Sequence, residues 1–503
     1  MLFLGIDAGT TSLKAGLFDE RGNARAMANE EYSLVTPAAD QAELDPEEYW
    51  RACVSAVRRV LAESNAPRDE IVAMGVSSQG ETTIAVDANG RALRRALVWL
   101  DNRAGEQARQ IAERFDLKRV YEITGDPEIV ATWTACKILW LAQNEPDILQ
   151  HAHKFILVED FILHRLTGRF ATDGAVACTS MLWNIQSGGW WDEMLDFIGI
   201  TRERLSEPVL PGGVVGALTH AAADALGLRS NVRVVAGGMD QAAGAIGAGN
   251  IRPGVISEST GAALAIQATV PASNLDPTGK LPVYVHDVSN AFLYVPVCNT
   301  GGMALRWFRD QFGQEEMRAA REQNRDAYDL LGELAGTIEP GCEGLTMLPH
   351  LMGAFSPEYN ADARGVFYGF TLRHTKAHFA RAILEAIAFM LKRNLDLIRS
   401  LGVAVREVRS TGGGAKSPLW LQIKADVLGV PVVTLEQEDT AVLGDAILAA
   451  VACGAFKSLD DACAQMMRVR GYIEPNGATR AAYDDAFARY RRVYERLFGN
   501  DLH

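Results

Sequence analysis

The stretch Leu2-Phe3-Leu4-Gly5-Ile6-Asp7-Ala8-Gly9-Thr10-Thr11-Ser12-Leu13 decides how the chain is read. The apolar run Leu2–Ile6 predicts a buried strand, Asp7–Thr11 a polar turn, and Leu13–Phe18 a returning strand that ends at Asp19-Glu20-Arg21-Gly22. The same theme returns past the midpoint, with a strand at Val255–Ser257, a turn at Ser259-Thr260-Gly261 and a strand at Ala262–Ile266. Two copies of one opening motif predict two related domains, residues 1–250 and 251–503, with a boundary near 250–254 and a cleft between them.

Sheet and helix signals alternate between and after these motifs. A helix is predicted after Asp45 as N-cap, with Pro46 in its first turn, Glu48 completing a capping-box-like pair, and Trp50, Val54, Val57 and Leu61 as its apolar stripe. Strands follow at Ile71–Val76 and Thr82–Val86, separated by a polar break at Ser77–Glu81. The run Val232–Ala236 leads through Gly237-Gly238-Met239-Asp240 into an Ala/Gly-rich helix. A long amphipathic helix is predicted from His378 to about Ser400, ended by Gly402, then a helix from Pro418, a strand at Val430–Leu435 and a last helix over about 478–497. The fold class is α/β.

Composition narrows the function classes. The 503 residues are 48 % hydrophobic and 22 % charged, which excludes disorder and coiled coil. Lys and Arg number 49 against 63 Asp and Glu, a net charge of −14 without a basic run, so nucleic acid is not the expected partner. The seven cysteines are scattered and form no C-x-x-C, which predicts reduced thiols and a cytoplasmic protein. The most apolar stretch, 446–456, is short of the roughly 20 residues that span a bilayer, so no membrane association is expected.

Several turns carry chemistry. Gly9 permits tight backbone at the first turn, where Thr10, Thr11 and N–H groups can donate to phosphate oxygens and Asp7 can hold a magnesium ion through water; an ordinary hairpin turn is the alternative. Gly412-Gly413-Gly414-Ala415-Lys416-Ser417 can form a flat backbone surface against a nucleoside or a simple interlayer turn, and it is not a P-loop. Asp240 sits where a helix dipole keeps a carboxylate ionised, either to accept a proton from an attacking hydroxyl or to cap the helix. Gln79, Glu81, Asp101 and Arg103 lie in polar breaks where they can bind hydroxyl groups.

Taken together, these residues resemble the FGGY carbohydrate kinases, which phosphorylate sugars and polyols with ATP and Mg²⁺ on two actin-like (ribonuclease H-like) domains. The resemblance covers essentially the whole chain. It runs through Gly5–Ser12, Ser77-Ser78-Gln79, Trp99–Arg103, Lys137–Trp140, Arg165–Gly168, Asp240–Gly244, Ser259–Gly261, Leu305–Trp307, Gly365-x-Phe367-x-Gly369 and Gly412–Pro418. It implies Asp240 as general base and Asp7 as the Mg²⁺-associated carboxylate. It further implies Gly9, Thr10, Thr11, Lys14, Thr260, Gly261, Gly413, Gly414, Lys416 and Ser417 around ATP, and Gln79, Glu81, Asp101, Arg103, Asp240 and Gln241 around the sugar. A homodimer is the expected assembly.

Substrate signals point two ways. Gly80-Glu81-Thr82-Thr83 is similar to the Arg-Glu-Thr-Thr of glycerol kinases with Gly in place of Arg, whereas Trp99–Arg103 and Gly414–Pro418 resemble xylulokinases. A glycine at position 80 should leave room for a substrate longer than glycerol, which favours a ketopentose such as xylulose. Glycerol, a tetritol or another sugar, and a non-catalytic nucleotide-binding regulator on the same fold, are the alternatives.

Overall fold

The computed structural model describes residues 1–272 and 274–499. It divides into two compact units, one of Met1–Ile251, Thr269–Leu293 and Asp439–Arg468, the other of Arg252–Ala268, Tyr294–Glu438 and Val469–His503.

In the first unit the elements that build the site are β1 (Leu2–Ala8), β2 (Ser12–Asp19), β3 (Ala24–Glu31), α1 (Pro46–Ser64), β4 (Ile71–Ser78), α2 (Leu117–Thr124), α3 (Thr134–Asn144), α4 (Val158–Thr167), β5 (Val214–Ala217), β6 (Arg233–Met239) and α5 (Asp240–Gly247). Its sheet has the order β5–β6–β4–β1–β2–β3. β1 runs parallel to β4 with Asp7 opposite Ser77, and β6 runs parallel to β4 with Met239 opposite Ser78. Three strand ends therefore deliver Asp7, Gln79 and Asp240 to one edge, the edge at which open α/β sheets bind ligands.

Both faces of this sheet are covered, which is why its strands read as nearly continuous apolar runs. Leu4, Ile6, Met74 and Val76 pack with α1 on one side. Phe3, Ala73 and Val235 pack on the other with Val442, Ala446 and Ile447 of the helix Thr440–Ala452. Each of the Leu, Ile, Val, Met and Phe side chains among them contributes about 1.5–3 kcal/mol when fully buried. Glycine makes the second contact possible: Gly5 and Gly75 are paired across β1 and β4, and a Cβ on them would stand 1.8 Å from the Val442 carbonyl oxygen and 2.2 Å from that of Asp445.

In the second unit the corresponding elements are β7 (Gly254–Thr260), β8 (Leu264–Pro271), α6 (Ala327–Gly336), α7 (Lys376–Ser400), β9 (Val405–Thr411), α8 (Pro418–Leu428), β10 (Val432–Leu435) and β11 (Val469–Ile473). Within its sheet the order β8–β7–β9–β10–β11 repeats β2–β1–β4–β6–β5 of the first unit. The directions repeat as well: an antiparallel hairpin, two parallel neighbours, then an antiparallel edge. The internal duplication expected from the two turns is thus present in the sheet topology.

Details differ from the sequence reading. Asp45 caps α1 by accepting from Glu47 N at 3.0 Å, and Glu48 makes an ion pair with Arg51 instead of completing a capping box. The buried face of α1 is Tyr49, Cys53, Ala56, Val57, Val60 and Leu61, while Trp50 and Val54 lie at its margin, because the helix faces two strands and α4 together. Asp7, Ser77 and Ser78 belong to the strands, so the turns are shorter than expected. No helix among the described residues is long and apolar enough to cross a membrane.

Candidate active site

Asp240 stands first in α5 but does not cap it. Met239 occupies the N-cap position without a side-chain bond, and the Asp240 carboxylate accepts from Gln241 Nε2 at 3.2 Å. Burial pushes its pKa up to about 6, against the hydrogen bonds from Gln241. Burial thus outweighs the helix dipole that was expected to keep this group ionised. The turn that presents it is braced from behind, where Glu159 Oε1 accepts both the Gly237 and Gly238 N–H groups at 2.9 Å.

Asp7 lies at the end of β1. Burial raises its pKa to about 7, with Asp240 adding to the effect and Lys14 opposing it. The Ser77 hydroxyl stands 3.5 Å from Asp7 Oδ1 and donates to Asp445 Oδ2 at 2.8 Å. Lys14 is ion-paired with Asp439. In the β1–β2 turn, Thr10 Oγ1 accepts from Trp99 Nε1 at 2.8 Å, Gly9 O accepts from the Tyr32 hydroxyl, and Thr11 is exposed.

Among the residues expected around the sugar, Gln79 is buried and donates from Nε2 to the Tyr49 hydroxyl at 2.8 Å. Asp101 and Arg103 form a closed pair. Asp101 accepts from Ala42 N and from three donors of Arg103 at 2.8–3.1 Å, and Arg103 also donates to Glu43 at 2.8 Å and stacks over Trp140. Glu81 adopts left-handed backbone, φ +62°, a conformation that a non-glycine residue holds only under constraint. The constraint is visible: its N–H donates to Thr179 Oγ1 at 3.0 Å, and its carbonyl accepts from Thr134 Oγ1 at 3.0 Å and Lys137 Nζ at 3.1 Å. Lys137 is fully buried, and burial lowers its pKa to about 8. Burial raises Glu81 to about 7, opposed by Lys137 and reinforced by Asp240.

Gly80 does not leave the room expected of it. A Cβ there would stand 2.5 Å from Thr179 Oγ1 and 2.8 Å from Thr179 Cγ2, so Thr179 fills the space that an arginine side chain would need.

The second unit holds a cavity of about 370 Å³ lined by Thr260, Gly261, Gly413, Gly414, Leu384 and Trp420, among others. It is mostly apolar with a few polar groups, the character of a nucleoside pocket. Lys416 and Ser417 are also on its wall, but Lys416 is exposed and paired with Glu438 at 3.3 Å, and Ser417 caps α8 by accepting from Trp420 N at 3.3 Å. The Thr260 hydroxyl is turned inward. It donates to Glu258 Oε2 at 2.7 Å and accepts from Lys424 Nζ at 3.0 Å, while Lys424, with no exposed side-chain surface, pairs with Glu258 Oε1 at 2.6 Å. Gly412, at φ +72°, and Gly414 press this turn against Thr260: a Cβ on Gly414 would come within 2.7 Å of Thr260 Cβ.

Sequence reasoning missed Tyr49, Asp126, Glu159, Glu258, Lys424 and Asp445. A buried charge in an apolar run, such as Lys424 in Leu421-Gln422-Ile423-Lys424-Ala425 or Asp445 in Leu443-Gly444-Asp445-Ala446-Ile447, was the signal available for two of them.

Comparison with known proteins decides the family. Residues 2–247 match the N-terminal domain of the FGGY family of carbohydrate kinases, and residues 260–453 match its C-terminal domain. The chain belongs to that family. It is 30 % identical over 491 residues to the xylulose kinase of Bacillus subtilis, covering 98 % of this chain and 96 % of the relative. It is 32 % identical over 458 residues to the gluconokinase of the same organism, covering 91 % and 88 %. The crystal structure of ligand-bound xylulose kinase from Lactobacillus acidophilus superposes with a TM-score of 0.90 at 27 % identity, covering 99 % of both chains. The fold is thus the two-unit actin-like fold of these kinases, and the protein is a sugar kinase of a family that uses ATP.

Proposed function

We propose that the protein transfers the terminal phosphoryl group of ATP to a hydroxyl of a ketopentose, D-xylulose, giving xylulose 5-phosphate. The observation that carries this reading is Asp240: a carboxylate on the first residue of a helix, free of capping duty and tuned to about 6, suited to take the hydroxyl proton at neutral pH. The similarity to xylulose kinase across nearly the whole chain supports the substrate. Similarity to gluconokinase supports gluconate as a second reading.

In this reading Gln79, Glu81, Asp101, Arg103 and Gln241 serve the sugar side directly or by holding the residues that touch it. Residues 1–250 supply the sugar site and first phosphate turn with Gly9, Thr10, Thr11 and Lys14, and 251–503 the nucleotide site with Gly261, Gly413, Gly414, Lys416 and Ser417. Thr260 acts there through its backbone, since its hydroxyl is engaged by Glu258 and Lys424. Asp7, whose carboxylate has one long hydrogen bond from Ser77, is the residue that would hold magnesium. One carboxylate plus phosphate oxygens and water is how this ion is usually held. When bound it would neutralise phosphate charge. Phosphoryl transfer asks the protein mainly for positioning, which is what the braced turns at Gly237–Asp240 and Thr260–Gly414 supply. The expected setting is the cytoplasm, and the expected assembly a homodimer, checked by light scattering.

A coupled ADP-release assay over pentuloses, hexuloses, tetritols, glycerol and gluconate tests the reading. Asp240→Asn should lower sugar-dependent turnover by about 10³-fold or more with nucleotide binding intact. Unchanged turnover in that variant, or no sugar-stimulated ADP release from the wild type, refutes it.

A further inference from the structure

Gly238 stands two residues ahead of Asp240 in a left-handed conformation, φ +73°, where β6 slips its register against β4 between Ala236 and Gly238. Its N–H is held by Glu159, and its other side meets a wall that the mechanism above does not use. A Cβ on Gly238 would stand 2.7 Å from Asp287 Oδ2, 3.1 Å from Asp287 Oδ1 and 2.8 Å from Ala175 Cβ. Asp287 follows the strand Val283–Val285, whose last N–H donates to Cys178 Sγ at 3.4 Å. Ala175 lies in the short helix Gly174–Ala177, which Asp173 caps by accepting from Ala175 N at 2.8 Å and Val176 N at 3.1 Å.

Asp287 is buried, and among the described residues no N–H or hydroxyl donor reaches either of its oxygens or Asp173 Oδ2. The Asp173 and Asp287 carboxyl groups are hydrogen-bonding neighbours, and a bond between two carboxyl groups exists only when one of them keeps its proton. The surroundings decide which one. Burial raises the Asp173 pKa only to about 6, because the Val176 and Ala175 N–H groups favour its ionised form. Asp287 has no such donor and no cation beside it among the described residues. Burial, with Asp173 and Asp445 nearby, holds it well above the ordinary carboxylate range. The other titratable groups facing the pair are Glu159 and Asp160 on α4, Asp445 on the helix Thr440–Ala452, and Cys178, all of them buried. The adjoining His286 is buried too, with Nε2 3.2 Å from the Asn250 carbonyl oxygen, and burial lowers its pKa to about 4, so it brings no positive charge at neutral pH.

We infer that Asp287 is a positioning residue for the general base: as a carboxylic acid donating to Asp173, it presents a neutral, packed wall to Gly238 and fixes where the turn carries Asp240. The inference rests on the kinase reading above. An ionised Asp287 would stand unpaired against the Asp173 carboxylate in a buried place, a cost that the retained proton removes. With the proton in place, Asp173 keeps both its cap on Gly174–Ala177 and its partner, and Ala175 and Asp287 close on Gly238 together. Glu159 grips the turn at its N–H groups and this wall stops it on the other side. A small misplacement of a reacting group costs rate out of proportion to its size, so a turn held from two sides bears directly on turnover.

The test compares the wild type, Asp287→Asn and Asp287→Ala by thermal melting across a pH series, by hydrogen exchange of the Gly237 and Gly238 amides, and by sugar-dependent kinetics. Asparagine keeps the side-chain size and an N–H donor toward Asp173 but cannot ionise. Folding of the wild type takes up a proton that the unfolded chain has released. Its unfolding constant relative to Asp287→Asn should therefore grow about tenfold per pH unit from about pH 5 to 8, read as a melting gap that widens with pH. Asp287→Asn should keep kcat within about threefold of the wild type at neutral pH. Asp287→Ala should lower kcat about 10- to 100-fold, leave KM for sugar and for ATP within about threefold, and speed exchange of the two amides about tenfold or more. A melting gap that stays constant with pH overturns the inference, as does an Asp287→Ala variant that keeps the wild-type kcat. If Asp287→Ala does not fold, Asp287→Asn decides: a kcat lowered about tenfold or more overturns the inference, and a kept kcat with a widening gap upholds it. Absence of sugar-stimulated ADP release from the wild type refutes the kinase reading instead, and unchanged amide exchange in Asp287→Ala would still overturn this inference.

Discussion

Replacing Lys424 with methionine separates the structural and functional weight of the pair beneath the nucleotide pocket. Lys424 and Glu258 have no exposed side-chain surface, and between them they hold the hydroxyls of Thr260 and Ser410. Removing only the cation leaves Glu258 buried and uncompensated, which costs about 3–5 kcal/mol. For a unit of this size each kcal/mol moves the melting temperature by about 2–4 °C, so the transition of the second unit should fall by roughly 6–20 °C. Lys424→Met with Glu258→Leu removes both charges and should recover most of that loss, because an apolar replacement of a buried pair is often neutral. The hydroxyl of Thr260 then has neither partner, and the residue that Gly414 packs on is no longer anchored. KM for ATP should therefore rise about tenfold in the single variant and stay raised in the double, with KM for the sugar unmoved. Calorimetric melting and steady-state kinetics read both effects. A single variant that melts with the wild type, or a double variant whose KM for ATP returns to the wild-type value, refutes the reasoning.

Three more expectations follow from the geometry. The kcat/KM for sugar should climb with pH through about 6 as Asp240 ionises and be lost on the acid side, since only the ionised carboxylate accepts a proton; a profile flat from about pH 5 to 7.5 would contradict its role. Gly5→Ala puts a methyl group 1.8 Å from the Val442 carbonyl oxygen, which neither strand nor helix can yield, and should destabilise the first unit by about 3 kcal/mol or more in denaturant titration. Gly80→Arg, which would restore the glycerol-kinase-like Arg-Glu-Thr-Thr pattern, meets Thr179 and should lower sugar turnover by about 100-fold or more; a gain in glycerol turnover would show that Thr179 gives way.

The strands, the two turns and the long helices were legible because each is encoded by a contiguous pattern. Leu2–Ile6, Val232–Ala236 and Phe379–Ile398 need only their own hydrophobic period, and Asp45 and Gly402 mark ends by local backbone chemistry. What the sequence could not reveal is set by distant packing. The apolar stretch 446–456 reads in the chain only as too short to span a bilayer, yet its first part lies against β1 and β4, over 360 residues upstream, where the glycine pair Gly5 and Gly75 makes room for the helix that carries it. Gly80 was misread for the same reason, since the side chain that fills its space, Thr179, is almost a hundred residues away. The carboxyl groups are the sharpest case. Asp126, Glu159 and Asp173 each look like solvated loop or helix-face residues in the chain, and each is buried, as is Asp445, with its pKa raised by burial. A charged residue is buried only where the fold supplies a partner, a proton or a ligand. Glu159 has its partners in Gly237 and Gly238, and Asp445 has one in Ser77, so both hold catalytic strand ends in place.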